Sequence, residues 1–288
     1  MNRFVLSDGS SIVYRDEGVG RPLLLLHGWG VSSALFERQF QNLCGDFRLI
    51  APNLRGHGES VAFHEGQEFT RLADDIQELI AHLALQGTVL VGWSMGAMVA
   101  WDLLSRTNAP DISGLVTIDM VPCLLNQRGW DFGLRTGSDA RVFDRALKAM
   151  RADWPRFTRV FVPRIFTGKN TRYGMDGVDR VCAIAARNDP ESMARLWSCL
   201  VEQDFRTKLR GIDVPALVMC GAESQLYRID ASHWVVENMH DARLKIFSRA
   251  GHAPQLERAD AFNQALGNFV HRLADPGGFC RSRIGTGH

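Results

Sequence analysis

The stretch Gly92-Trp93-Ser94-Met95-Gly96 constrains this 288-residue chain more than any other. It follows the apolar run Thr88-Val89-Leu90-Val91 and leads into small and apolar residues at helical density from Met95 to Leu104. A run that short and β-branched reads as a buried strand, so the segment is strand, tight turn, helix. Glycines two before and two after the serine are needed where the turn is so sharp that a side chain would strike the neighbouring helix or strand. Such a unit belongs in an α/β architecture. It lifts Ser94 above the carboxyl end of the sheet, where ligands bind in open α/β sheets.

Other segments repeat the alternation. Phe4-Val5-Leu6 and Ser11-Ile12-Val13-Tyr14 flank the turn Ser7-Asp8-Gly9-Ser10 and read as a strand pair. Leu23-Leu24-Leu25-Leu26 lacks polar alternation, which suits a strand covered on both faces. Further strands are expected at Phe47 to Pro52, Leu115 to Ile118, Ala216 to Met219 and Arg243 to Phe247. Leu72, Ile76, Leu79, Ile80 and Leu83 mark a helix over 70–85, with Thr70 as its expected N-cap. Residues 123–212 break the rhythm with amphipathic stretches such as Val142 to Met150 and Met193 to Val201. The expected organisation is a core of residues 1–122 and 213–275, a helical cap at 123–212 inserted between two strands, and a flexible tail at 276–288. The core is a mostly parallel central sheet flanked by helices.

Composition narrows the classes of function. A formal net charge of +1 gives no global field toward nucleic acid or membrane. No apolar run approaches membrane-spanning length, and the N-terminal residues hold no long apolar segment of the secretory kind. The six cysteines are scattered without a C-x-x-C pair, which points to free thiols in a reducing cytoplasm. Charge is uneven, however: residues 121–210 carry 17 Lys and Arg against 10 Asp and Glu. A basic cap over an acidic remainder suits a negatively charged partner or substrate; a solvated arginine-rich surface is the plainer reading. No metal-ligand spacing and no phosphate-binding glycine pattern is present, so no metal or organic cofactor is expected.

A serine hydroxyl needs a base within hydrogen-bond reach to become a nucleophile. Of the nine histidines, His252 is best placed, in Gly251-His252-Ala253-Pro254 just past the last expected strand. His64, His82, His233 and His240 lie on expected surface segments. The turn His27-Gly28-Trp29-Gly30 follows a buried strand and can aim backbone N–H groups at a developing oxyanion. The expected donors are the N–H groups of Trp29 and of Met95, the residue after Ser94. His27 is expected to hold the loop. Trp29 and Trp93 are candidates for the substrate pocket, with Phe161, Ile165, Leu196 and Trp197 as acyl-pocket or packing residues of the cap.

With these residues in view, the chain resembles the α/β-hydrolase superfamily over roughly residues 4–273. The matches are His27 to Gly30, the loop Asn53-Leu54-Arg55-Gly56-His57-Gly58-Glu59-Ser60, Gly92 to Gly96, and Gly251-His252. Within it, H-G-W-G, G-W-S-M-G and G-H-A-P are similar to pimeloyl-[acyl-carrier-protein] methyl ester esterases. The resemblance implies an α/β-hydrolase fold and a serine carboxylesterase working through an acyl-enzyme. It also implies a small-molecule or carrier-linked acyl ester as substrate, an acyl-carrier protein docked on the basic cap, and a link to biotin biosynthesis. Thioesterase, lactonase, C–C hydrolase and haloperoxidase readings share the same site, and a low-turnover binding protein is the rival of another class.

The chain departs from that pattern at the acid. Members usually carry aspartate three residues after the glycine that ends the late strand, and here Gly221-Ala222-Glu223-Ser224 puts serine there. Two carboxylates could replace it. Asp119, directly after Leu115 to Ile118, resembles the subset that takes its acid from the earlier strand, and is preferred; Glu223 is the alternative. Asp102 falls on the helix after the nucleophile and is disfavoured. Arg55 and His57 are expected to be structural loop residues.

Overall fold

The computed structural model describes residues 1–107, 109–135, 140–167 and 174–274. The expected tail at 276–288 lies outside them.

An eight-stranded sheet is formed by β1 (Asn2–Val5), β2 (Ser11–Glu17), β3 (Pro22–Leu26), β4 (Arg48–Pro52), β5 (Thr88–Trp93), β6 (Ile112–Ile118), β7 (Ala216–Gly221) and β8 (Ala242–Phe247), in the order β1-β2-β4-β3-β5-β6-β7-β8. β2 runs antiparallel to both β1 and β4; every other neighbouring pair is parallel. Parallel strands need crossovers, and helices supply them. These are α1 (Glu37–Leu43), α2 (Thr70–His82), α3 (Met95–Arg106) and α8 (Ile229–Glu237), while α9 (Pro254–Glu257) and α10 (Ala259–Ala274) follow β8, and α10 packs back on the core. Between β6 and β7 the chain instead makes α4 (Ala140–Ala152), α5 (Trp154–Phe161), α6 (Gly174–Ala185) and α7 (Pro190–Val201), with a short 3₁₀ turn at Val162–Ile165.

The central strands are buried on both faces, which explains their continuous apolar runs. Leu24, Leu26, Leu90 and Leu115 face Leu72, Ile76, Leu79 and Met98 of α2 and α3. Leu23, Leu25, Val89, Val91 and Val116 face Phe40, Phe262 and Phe269 of α1 and α10. A fully buried leucine of this kind contributes about 1.5–3 kcal/mol. Thr70 does not cap α2. It is the first helical residue, Phe69 occupies the cap position, and no side chain caps the end. The chain is already turning there, with Arg71 and Leu72 N–H donating to the carbonyls of Glu68 and Phe69.

Candidate active site

The end of β5 carries Ser94 in a backbone conformation that L-residues avoid, φ 53° and ψ −120°. The strain is held by packing around it. A Cβ on Gly92 would run into Gly96 and Ala97, and one on Gly96 would strike Leu26. The Ser94 N–H donates to the Ile118 carbonyl at 2.9 Å, and its own carbonyl accepts from Ala97 N–H at 2.8 Å. The side chain is thus raised above the sheet while the backbone dives into α3.

One strand away, β6 ends in the same manner. Asp119 also has positive φ, 44°, and its N–H donates to the Met219 carbonyl at 2.8 Å. Its carboxylate is buried, and its Oδ2 lies 2.6 Å from His252 Nδ1. A carboxylate only accepts, so Nδ1 carries the proton and Nε2 is left free to act as a base. Ser224 donates its hydroxyl to the same Oδ2 at 2.7 Å. The N–H groups of Leu226 and Tyr227 approach the Ser224 oxygen at 3.4 Å each and aim its proton at the carboxylate. Ser224, in the usual acid position, thus supports the Asp119 carboxylate at the end of β6. Glu223 is exposed to solvent, and Asp102 pairs with Arg106 on α3.

His252 sits in a loop tied down on several sides. Its N–H donates to the Ile165 carbonyl at 2.8 Å, and the Trp93 indole N–H donates to its carbonyl at 2.8 Å. Buried Glu257 accepts from Gly251 N–H at 2.6 Å and from both N–H and hydroxyl of Thr167 at 2.9 and 2.7 Å. This ties the histidine loop to the inserted segment. Ser94 Oγ faces Met120 Sδ at 3.9 Å, and Ser94 and His252 line one cavity.

The turn after β3 closes on that serine. A Cβ on Gly28 would come within 3.2 Å of Ser94 Cβ. Among the described residues no acceptor takes the Trp29 N–H, and Met95 N–H opens α3, where helices have no internal partner for it. Two buried histidines hold the turn. Leu54 N–H donates to His27 Nε2 at 2.9 Å, so Nδ1 carries the proton and donates to the Gly28 carbonyl at 2.8 Å. Gly30 N–H donates to His57 Nε2 at 2.9 Å, and Nδ1 donates to the Arg55 carbonyl at 3.2 Å. Burial lowers His27 to about 4 and His57 well below its usual range, so both are neutral at pH 7. Arg55 is itself buried in a two-pronged ion pair with Asp75, at 2.8 and 2.9 Å.

The cavity walls come largely from aromatic rings: Trp29, Trp93, Phe161, Trp197 and Tyr227, with Ile165, Leu200 and Leu226. Trp29 is packed edge-on against Trp154 and Phe161, at 5.5 Å each, and lies 4.9 Å from Trp197. Its indole N–H donates to the Met193 carbonyl at 3.0 Å. Leu196 does not line the cavity; it is fully buried and packs toward Gly56. That helical face points at the loop after β4, which residue type alone does not reveal. Leu226 and Tyr227 were not singled out from the sequence either, because no motif marks the loop after β7 once its aspartate is gone. The cavity as it stands is about 20 Å³, room for little more than one water.

Among the described residues, no group of three or more His, Cys, Asp or Glu side chains is arranged to hold a metal, and no helix is long and apolar enough to cross a membrane. The five described cysteines are free thiols.

Comparison with known proteins agrees with this geometry. The chain is 32% identical to a non-heme haloperoxidase of Rhodococcus erythropolis, over 92% of this chain and 97% of that one. It is 23% identical to a pimeloyl-[acyl-carrier protein] methyl ester esterase of Aliivibrio fischeri, over 92% and 99%. The esterase EaEST from Exiguobacterium antarcticum superposes with a TM-score of 0.87 at 25% identity, covering 93% of this chain and 98% of that structure. The protein is an enzyme of the hydrolase type, esterase-like in its relatives. The model of the "Alpha/beta hydrolase family" matches residues 23–265, and the chain belongs to that family.

Proposed function

We propose that this protein is a serine carboxylic-ester hydrolase with Ser94 as nucleophile, His252 as general base and Asp119 as the acid that orients it. The observation that carries the reading is the 2.6 Å contact between His252 Nδ1 and Asp119 Oδ2, with the imidazole in the wall of the cavity that Ser94 enters. The reading requires Ser94 Oγ to turn from Met120 toward the ring, a change of the kind that staggered rotamers allow. Catalytic contacts of this kind commonly tighten only when substrate binds.

The chemistry follows from that placement. Ser94 Oγ attacks the ester carbonyl carbon while its proton passes to His252 Nε2. The carbonyl oxygen takes the charge and is held by the N–H groups of Trp29 and Met95. The tetrahedral adduct collapses, the C–O bond to the alcohol breaks, and His252 returns the proton to the departing oxygen. Water then attacks the acyl-enzyme with His252 again taking a proton, and the acid leaves as Ser94 is re-protonated. Asp119 steadies the imidazolium. Acyl groups exceed the resting cavity, so binding displaces part of the aromatic roof, and residues 123–212 act as a cap over the core.

A narrower substrate, a carrier-linked acyl methyl ester, is favoured by the esterase relatives and by the basic inserted segment. Arg156, Arg159 and Arg164 are exposed along α5 and the 3₁₀ turn after it and would dock an acidic carrier. The free thiols suit a cytoplasmic setting.

A fluorophosphonate probe tests the core reading. Stoichiometric labelling that disappears in Ser94→Ala is expected; a folded wild type that stays unlabelled refutes it. Charge reversal of the three arginines should impair hydrolysis of carrier-linked esters and spare p-nitrophenyl esters. Equal loss on both removes the carrier.

A further inference from the structure

Among the described residues, two side chains that line the cavity have a polar hydrogen with no oxygen or nitrogen to bind. Tyr227 is buried, and its hydroxyl finds only the Met120 thioether, at 3.3 Å. Thioether sulfur is a weak acceptor. The Trp197 indole Nε1 is buried with no partner among the described residues. Buried tyrosine and tryptophan donors ordinarily find a partner, and leaving one unpaired is destabilising. Such donors persist most simply where a ligand completes them.

Their location says which ligand. Met120 Sδ faces both Tyr227 hydroxyl and Ser94 Oγ, so the two hydroxyls flank one sulfur. The Tyr227 ring stands 5.5 Å from the His252 ring, and Trp197, also a wall residue, packs 4.9 Å from Trp29. The described wall holds no Lys, Arg, Asp or Glu side chain. Burial and the nearby Asp119 carboxylate push the Tyr227 phenol far up, so it remains a donor at every working pH. An anionic acyl tail has no counter-charge there, whereas a neutral oxygen acceptor has two donors waiting.

We propose that Tyr227 and Trp197 recognise the acyl half of the substrate, which is uncharged and carries an oxygen acceptor beyond the scissile carbonyl, such as a keto or ether oxygen. The acyl half is the part concerned because it stays on Ser94 in the enclosed cavity after the alcohol has left. This rests on the ester-hydrolase reading and adds a substrate class to it.

The test compares p-nitrophenyl 4-oxopentanoate with pentanoate, and methoxyacetate with butanoate, on wild type, Tyr227→Phe and Trp197→Phe. Wild type should prefer the oxygenated member by about 10- to 100-fold in kcat/KM. The Phe variants should bring that ratio toward one in at least one pair. Each ratio is first divided by that for alkaline hydrolysis of the same pair, which removes the intrinsic reactivity that the added oxygen brings. In parallel, Ser94→Ala is titrated with the corresponding methyl esters, with indole fluorescence as the signal; it should bind the oxygenated esters ~10-fold more tightly. Hydrolysis without preference overturns this proposal alone, as does a preference kept by both Phe variants. Selective binding by Ser94→Ala in a protein that hydrolyses nothing supports the recognition and refutes the hydrolase. Neither binding preference nor hydrolysis refutes both.

Discussion

The floor and the roof of the Ser94 cavity are built on different principles. The floor is polar and directional. Ser94 and Asp119 sit in strained backbone at the ends of adjacent central strands, and His252 and Ser224 share one carboxylate oxygen at 2.6 and 2.7 Å. The roof is a cluster of rings, Trp29, Trp154, Phe157, Phe161 and Trp197, held mainly by contact. Hydrogen bonds fix atoms to a few tenths of an ångström; apolar contacts fix volume and allow sliding. On the proposed function, a reaction that demands alignment rests on the first kind of construction, and admission of varied acyl groups on the second.

Substitutions can break or sharpen this contrast. The largest expected effect is on the floor: Asp119→Asn should lower ester turnover ~10⁴-fold with little change in melting temperature, because the histidine loses its tautomer and its counter-charge. Glu223→Gln should leave turnover near wild type. The reverse ranking would move the acid to β7. Next comes the roof, where Trp154→Ala removes a buried indole stacked on Phe157 and edge-on to Trp29. Urea unfolding should show a loss of about 3–5 kcal/mol.

Acid offers a third probe, aimed at the floor. His27 is held neutral with its pKa lowered to about 4, against the usual 6.5 in an unfolded chain. The unfolded state binds the extra proton first, so the stability gained from a neutral His27 is complete above pH 6.5 and is lost as pH falls toward 4. By pH 5 the loss from His27 alone is on the order of 2 kcal/mol, and His57 adds in the same direction. Melting temperature measured from pH 7.5 to 5 should decline; a flat profile would mean the ring pair tolerates charge. The smallest expected effect is that of Ser224→Ala, about a 10-fold drop in kcat with KM unchanged, on the order of one charge-assisted hydrogen bond. A change in KM alone would make Ser224 a pocket residue instead.

What the sequence disclosed follows the same division. Strand and helix positions were legible because buried strands need unbroken apolar runs and the inserted helices need periodic ones. Gly92 and Gly96 were legible because backbone would collide with any side chain there. Ser224 read as a gap, since its value lies in a partner 105 residues earlier in the chain. The positive φ of Asp119 left no mark, as a lone aspartate does not announce such a conformation in the way a glycine does. Tyr227 and Leu200 reach the cavity through tertiary placement that no local pattern encodes.

Trp29 belongs to both constructions at once. Its turn closes on Ser94 through the neighbouring Gly28, while its indole is clasped by α5 and α7 and bonded to Met193. Anyone reshaping this enzyme for a new ester by diversifying those two helices would therefore be adjusting speed along with selectivity. Libraries that keep Trp29 and its four ring neighbours fixed, and vary Leu134 and Leu200 first, should separate the two traits.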